Sequence, residues 1–350
     1  MEIRIYDAEL NLQGIIENQT SLLWHRKYFE PGTFELHAPI TKHNLATLKI
    51  GNLVTMHGQG DAGIIEDIQY EENADKNSIT AQGRFLLAYM GYRLIRGTVN
   101  VNGTVEEVMR ELYSGCHPIP LVRLGDAGGF QSTISGQIAN VNLLKFMTKL
   151  ARAGNLGFSF VPDFAKKTIT FRIYAGKDRT LSQSTNNRVI FSESYDNLEQ
   201  VTYRANDQAY ANVAYVIGVG EDGNEVGVTV GDAESTGLER RETFVNARGV
   251  SASGLSPEEL LEKLRQEGRN ALNAMPIAKS FECDTNATGN FVYRKDYDLG
   301  DIVTIKKANW GMREDLRITE ILETYEYGSM VVTPTFGNPL PTSIDWGDFS

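Results

Sequence analysis

Alternation of apolar and polar positions, the mark of half-buried strands, sets in at the first residues of the chain. Ile3 and Ile5 flank Arg4, and in TFELHA the residues Phe34, Leu36 and Ala38 share one face while His37 falls on the other, polar one. Between them LLWHRKYF carries bulky side chains into a Pro31-Gly32 turn. LKIGNLVTM (48–56), GIIEDIQYE and NSITAQG then continue as short β-rich runs broken by Gly and Asn. RFLLAYMGY (84–92) is apolar on both sides, so periodicity leaves a buried strand and a short helix both open.

After Gly97 the period changes. Thr104 and Glu107 form a capping-box pattern ahead of Val105, Val108, Met109 and Leu112 at helical spacing. A second helix is expected from about Asn140 to Ala153, with Leu143, Leu144, Met147, Leu150 and Ala151 inward and Gly154 as its C-cap. FSFVPDFAKKTITFRIY reads as a hairpin turning between Asp163 and Lys167. From Arg188 the strand pattern returns, with Val213, Tyr215, Ile217 and Val219 on one face and Val226, Val228 and Val230 on the strand facing them. Ser256-Pro257-Glu258-Glu259 opens a helix with Leu260, Leu264, Ala271 and Met275 in one stripe and Lys263, Gln266 and Arg269 facing away.

The strongest organising signal is repetition. YDLGDIVTI (297–305) restates LKIGNLVTM: Gly300-Asp301 stands where Gly51-Asn52 stands, and Val303-Thr304 where Val54-Thr55 stands. Ile318, Glu320 and Ile321 then answer Ile65, Asp67 and Ile68, and upstream Phe281-Glu282 answers Phe34-Glu35. Turns of this kind recur by chance in β-rich chains, but a matching order of elements on both sides favours duplication. The expected fold is therefore α+β, mainly β, with two similar small β-barrels in one chain. Their bounds are 1–97 for the first barrel, 98–184 for an α+β module, and 185–253 with 277–340 for the second barrel. The second barrel is interrupted by a helix at 254–276, and 341–350 forms an extended tail. Gly51, Asn52, Gly300 and Asp301 are the structural turn residues of the duplicated barrel unit, one pair in each copy.

At 350 residues the chain exceeds one ordinary core. No apolar run approaches the roughly 20 residues of a spanning helix, and Met1-Glu2-Ile3-Arg4 is no signal peptide, so synthesis and folding in the cytoplasm are expected. A net charge of −11 is the wrong sign for gripping phosphate backbones. Cys116 and Cys283 lack any CxxC partner, and His25, His37, His43 and His57 have no spacing that puts them on one face, so neither a disulfide framework nor a metal site is indicated. Residues 218–223 match G-x-G-x-x-G, yet Glu221 and Asp222 would face the phosphates and the next segment reads as a strand; a hairpin turn is the better reading. Cys116-His117 has no assignable base, and Glu66, Asp67 and Glu320 lie on polar strand faces. No catalytic residue, cofactor or metal site is expected.

Five stretches carry a resemblance that covers most of the chain: Trp24 to Pro39, Ala214 to Gly223, Arg240 to Arg248, YDLGDIVTI, and Arg317 to Gly328. They are similar to the tail-hub proteins of siphoviruses, whose fold resembles the baseplate hub of contractile phages and the N-terminal part of tail-associated lysins. The resemblance implies a structural homotrimer at the virion tail tip or baseplate, assembled in the host cytoplasm, in which two barrels per subunit give a ring of pseudo-six-fold symmetry around the DNA exit channel. It implies as partners the distal tail ring protein, the tape-measure protein and receptor-binding or fibre proteins. DNA would pass through without specific binding, an acidic balance keeping the polyanion from sticking. Some relatives carry a lytic domain after the hub portion; here the sequence stops soon after Gly337, so no lytic activity is expected. A bacteriocin or injection-system hub would share these features. A carbohydrate-binding module using Trp24, Trp310 or Trp346, and a tail-associated lytic enzyme, are the alternatives from other classes.

Overall fold

Near the N-terminus each alternating run becomes a strand. The computed structural model describes residues 1–73, 77–195, 197–250, 252–273, 275–284, 290–326 and 328–337. Strands β1 (Ile3–Tyr6), β2 (Leu12–Ile16), β3 (Ser21–Lys27) and β4 (Thr33–Ala38) precede a short helix α1 (Lys42–Thr47), and β5 (Leu53–Met56), β6 (Gly63–Ile64), β7 (Asp67–Glu72) and β8 (Asn77–Arg84) follow it. Leu22 and Trp24 from β3, Phe34, Leu36 and Ala38 from β4, and Ile79 and Ala81 from β8 are buried with Ile3, Ile5 and Val54 in one core. The ambiguous run RFLLAYMGY is a 3-10 helix over Leu86–Tyr92, with Leu86, Leu87, Ala88 and Met90 buried.

A second unit follows: β9 (Leu94–Thr104), α2 (Val105–Gly115), β10 (Val122–Leu124), β11 (Thr133–Asn142), α3 (Leu143–Gly154), β12 (Gly157–Asp163) and β13 (Thr168–Tyr174). Both halves of the Thr104–Glu107 capping box are made. Helix α3 ends one residue later than expected, because Asn155 and not Gly154 takes the left-handed cap at φ 57°. Gly154 serves packing instead: a Cβ there would stand 2.7 Å from Val105 Cγ1 of α2. The long antiparallel pair of β9 with β11 was not foreseen, and β9 runs through Gly97, where a boundary was expected.

The last part comprises β14 (Ile190–Ser192), β15 (Glu199–Asn206), β16 (Val213–Val219), β17 (Glu225–Gly231), β18 (Glu242–Asn246), α4 (Pro257–Asn273), β19 (Ala278–Asp284), β20 (Ile302–Lys307), β21 (Met312–Glu326) and β22 (Ser329–Gly337). Residues 185–253 are not all one with the second β unit. Strands β17, β16 and β18 form a sheet of their own, in that order, and α4 covers it. The inward face also differs from expectation. Val226, Val228 and Val230 lie across from Gly218, Val216 and Ala214, while Tyr215 on the other face is half exposed. Small residues face the helix because it sits close: a Cβ on Gly218 would come within 2.6 Å of Leu264, and one on Gly268 within 2.9 Å of both Val230 and Val216. Gly218 and Gly223, which has φ 79°, thus explain two glycines of the G-x-G-x-x-G motif without any phosphate.

Strands β1, β2, β5 and β6 form a four-stranded sheet in the order β2-β1-β5-β6, while the other strands from the two ends of the chain join one ten-stranded sheet, ordered β15-β19-β22-β21-β3-β4-β8-β7, with β20 and β14 branching from β21. The fold is mainly β with few helices, as the sequence pattern implies. Closed barrels are not seen: among the described residues β7 and β15 end this path, each paired on one side only. The expected tail at 341–350, with Trp346, and Tyr327, which the sequence pattern places in a β-rich run, lie outside the described residues.

Glu267 on α4 has its carboxyl pushed up to about 7 by burial. The unfolded chain ionises this group in the ordinary carboxylate range, so its stabilising contribution is complete at acid pH and is lost as pH rises through about 7. Glu267→Gln is therefore expected to raise stability by about 2 kcal/mol near pH 8 and to change it little near pH 5. Urea midpoints of the two proteins at both pH values test this; equal differences at the two would contradict it.

Candidate assembly surface

Both glycine turns are built alike. Gly51 N donates to Ile65 O at 2.8 Å and Ile65 N to Asn52 O at 2.9 Å; Gly300 N donates to Ile318 O and Ile318 N to Asp301 O, each at 2.8 Å. Their φ angles of 87° and 91° are left-handed, which an L side chain would strain. Their surroundings differ. Asn52 donates its side-chain amide to Thr47 O at 2.9 Å, whereas the Asp301 carboxylate accepts from Lys177 N at 2.7 Å and Arg179 Nε at 2.6 Å, tying the segment after β13 to the last unit. Gly51 has open space where a Cβ would go, but Gly300 lies against the buried ring of Tyr28, as does Gly157. The four turn residues thus sit in two separate places, only one of them a junction.

Strand order and register repeat as well. Outward from β3 the pairs run β3–β4–β8–β7, and outward from β15 they run β15–β19–β22–β21. Phe34 lies between Trp24 and Gly83, and Phe281 between Tyr203 and Phe336. Glu35 faces Gln82, which faces Asp67; Glu282 faces Thr335, which faces Glu320. Asp67 and Glu320 therefore hold the same place in the two ladders.

The fourth strand of the later set pairs antiparallel with the first strand of the earlier one: β21 meets β3 from Glu320 across Lys27 to Glu326 across Ser21. Two faces result, since side chains alternate. On the core side Ile321, Glu323 and Tyr325 meet Leu22, Trp24 and Arg26, with Glu323 and Trp24 completely buried. On the other side Glu320 and Leu322 meet Lys27 and His25, and His25 Nε2 lies 2.6 Å from Glu320 Oε2.

The charges on the core side close a network. Arg26 donates from Nε to Asp61 at 2.8 Å, and from Nη1 to Asp298 at 2.6 Å and the Tyr293 hydroxyl at 2.7 Å. Glu323 accepts from Tyr293 at 2.8 Å, Arg294 at 2.7 Å and Tyr325 at 2.6 Å. Burial alone would pull the Arg26 guanidinium down, yet Asp61, Tyr293 and Asp298 hold it well above its ordinary value. Burial, with Glu323 beside it, pushes the Tyr293 hydroxyl well up. Motif and turn signals do not reveal this network, although alternation gives a signal: Arg26 continues the inward series Leu22, Trp24, and Glu323 sits between the inward Ile321 and Tyr325.

A cavity of about 400 Å³ beside the network is lined by Arg26, Arg179 and Arg294, each already held by a carboxylate. Among the described residues no three His, Cys, Asp or Glu side chains group as metal ligands, and no helix is long and apolar enough to cross a membrane. Cys116 and Cys283 are both buried. Trp24 is wholly buried and Trp310 is half exposed at a turn after β20, with Lys307 Nζ 5.4 Å from its ring centre.

Removing one partner of a buried pair leaves the other uncompensated. Arg26→Met is expected to cost about 3 kcal/mol, the low end for such a loss because Asp298 keeps nearly half its surface in water. Lys27→Met, which breaks the pair with Glu30 on the other face, should cost less than about 1 kcal/mol. Denaturant midpoints decide it, and similar losses for both variants would show that the network does not hold the junction.

Comparison with known proteins agrees with this architecture. The fold is that of the prophage tail protein gp18 from Listeria monocytogenes EGD-e, at 14% identity over 100% of this chain and 98% of that one, with a TM-score of 0.61. The tail protein from Neisseria meningitidis MC58 aligns at 12% identity over 98% of both chains, with a TM-score of 0.63. A chain of the Francisella PdpA-VgrG complex aligns at 9% identity over 100% of this chain and 53% of that one, with a TM-score of 0.50. No curated protein has a matching sequence. The family described as Siphovirus ReqiPepy6 Gp37-like protein matches residues 2–338, so the chain belongs to this siphovirus tail protein family.

Proposed function

We propose that the protein is a structural hub of a phage tail, a homotrimer whose two β units, copies of one ancestral unit, imitate six around an axis. One observation carries the reading: the two four-stranded sets already join head to tail within one chain, β21 to β3, and the ends left over are β15 and β7. These free ends are the equivalents of β3 and β21. An unpaired edge invites another strand, and repeating the same junction between chains joins β7 of one subunit to β15 of the next. A heterologous contact of this kind generates a ring when its rotation closes, and closure after three chains makes each β unit one sixth of a continuous barrel. The closed barrel thereby belongs to the ring and not to the single unit.

The face turned from the core would line the channel. It carries Thr80, Thr202, Thr333 and Thr335 with Glu35, Asp67, Glu282, Glu320 and Glu326, and among the described residues Lys27, Arg84 and Arg204 as cations, Arg84 held by Glu66. Such a lining lets a polyanion slide without capture. At a tail tip the ring would link the tube to the distal ring, tape-measure and receptor-binding or fibre proteins, as scaffold and not as enzyme. A tailocin or injection-system hub would need the same ring.

Backbone pairing at the open edge is the feature to remove. Tyr28 N donates to Thr319 O, so alternate residues of β21, among them Glu323, bond to β3. Tyr70 holds the place of Glu323 in β7 and is half exposed. Tyr70→Pro is expected to leave the subunit folded and abolish the trimer, as read by mass photometry and far-UV circular dichroism. A wild-type protein that stays monomeric at every concentration would overturn the ring. Turnover of peptidoglycan by the purified chain, or tight salt-sensitive DNA binding, would overturn the passive scaffold.

A further inference from the structure

Transposing the internal junction onto the outer edges fixes a register as well as a contact. Trp24 faces Phe34 and Tyr203 faces Phe281, which makes Tyr203 the counterpart of Trp24, Arg204 of His25 and Asn206 of Lys27. Asp67, Tyr70 and Glu71 are the counterparts of Glu320, Glu323 and Thr324. Glu320 across Lys27 then becomes Asp67 across Asn206, with Tyr70 across Tyr203. We infer that Asp67 of one subunit and Arg204 of the next form an ion pair across every subunit boundary, the intermolecular equivalent of the His25–Glu320 pair inside each chain. This rests on the ring reading above and adds to it which residues set the register.

The side chains agree with the transposition. Arg204 and Asp67 are both exposed in the single chain, and no carboxylate pairs with Arg204 among the described residues. Asp67 accepts from Gln82 Nε2 at 2.8 Å, from the position Thr335 holds beside Glu320, so its carboxylate is already turned to this face. Across the boundary Arg204 would stand opposite Gln69, between Asp67 and Glu71; inside the chain His25 reaches across to Glu320, and Asp67 holds that same place. On the other face Ile68 and Tyr70 meet Ala205 and Tyr203, apolar against apolar. A slip by one residue would set Tyr70 and Ile68 on the face of Arg204. An arginine suits the boundary between chains, since it stays charged at any working pH and bridges a carboxylate in fixed geometry, where the internal histidine has its partner supplied by the same chain.

The test is a charge exchange followed by the concentration at which trimer and monomer are equal. Asp67→Arg and Arg204→Asp each place like charges side by side and should raise that concentration at least about tenfold, while the double variant should return to within about threefold of wild type. Single reversals that leave the midpoint unmoved, or a double variant no better than either single one, would overturn the pair while a wild-type trimer keeps the ring intact. A wild-type protein that never associates would overturn the ring itself. Should a reversal harm folding, Tyr70→Cys with Tyr203→Cys gives an independent reading. Oxidation should link chains into covalent trimers, and Tyr70→Cys with Ala205→Cys should not; equal yields would overturn the register.

Discussion

A strand edge must be paired, covered or charged, and this chain meets that constraint by joining its two ends. The ladder from Glu320 to Glu326 against Ser21 to Lys27 covers one edge of each four-stranded set and brings residues some three hundred positions apart into hydrogen bonds. Everything between is arranged so that those ends can meet. The unit containing α2 and α3 follows the earlier set and packs into a core shared with Phe281, Ile318 and Phe336 of the later one. Tyr28, at the exit of β3, donates to Tyr174 O and receives Gly176 N, both at 3.2 Å, with its ring against Gly157 and Gly300. Strands β16 to β18 with α4 form an excursion that leaves after β15 and returns at β19, so it lengthens the chain without entering the ten-stranded sheet.

Long-range closure of this kind is slow to form, since loop-closure entropy comes before the contacts that offset it. Specificity has to compensate. A wholly apolar junction could slip by two residues and still bury its side chains, whereas the Arg26 network cannot: its guanidinium must reach Asp61 and Asp298 while Glu323 receives Tyr293, Arg294 and Tyr325. The polar cluster therefore discriminates between registers, a use of buried charge that does not require it to stabilise the fold relative to an apolar core.

How much could be read without coordinates follows from what each signal depends on. Turn chemistry is local, so the equivalence of Gly51-Asn52 with Gly300-Asp301 was visible, as were the capping boxes at Thr104 and Ser256. Registers equating Asp67 with Glu320 were visible too, because alternation repeats with the ladder. Which partner a strand takes is not local. Strand β16 reads as part of a large β unit until α4 claims its Ala214–Val216–Gly218 face, and small residues give little hydrophobic signal. Barrel closure failed for the same reason: the strands of one unit carry no mark saying whether their edge meets itself, its copy or another molecule. Arg26 and Glu323 broke the inward alternation and could have been flagged, but their partners Asp61, Asp298 and Arg294 lie on loops whose positions no periodicity fixes.

Internal and external junctions built on one plan face different demands, and their residues differ accordingly. Inside the chain the partner strand is always present, so Trp24 and Glu323 can be wholly buried and Arg26 nearly so without ever facing water in the folded molecule. In the proposed ring the corresponding places are held by Tyr203, Tyr70 and Ala205, of which the subunit carries Tyr70 and Ala205 exposed and Tyr203 partly so until it meets a neighbour. A tryptophan and an unpaired buried-type charge would be costly there, the first as an aggregation hazard and the second in desolvation at each encounter. Tyrosine tolerates both conditions, with an apolar ring to bury and a hydroxyl to leave wet. The substitution pattern between the two ladders is what an edge kept soluble as a monomer, yet able to reproduce a covalently tethered contact, would require.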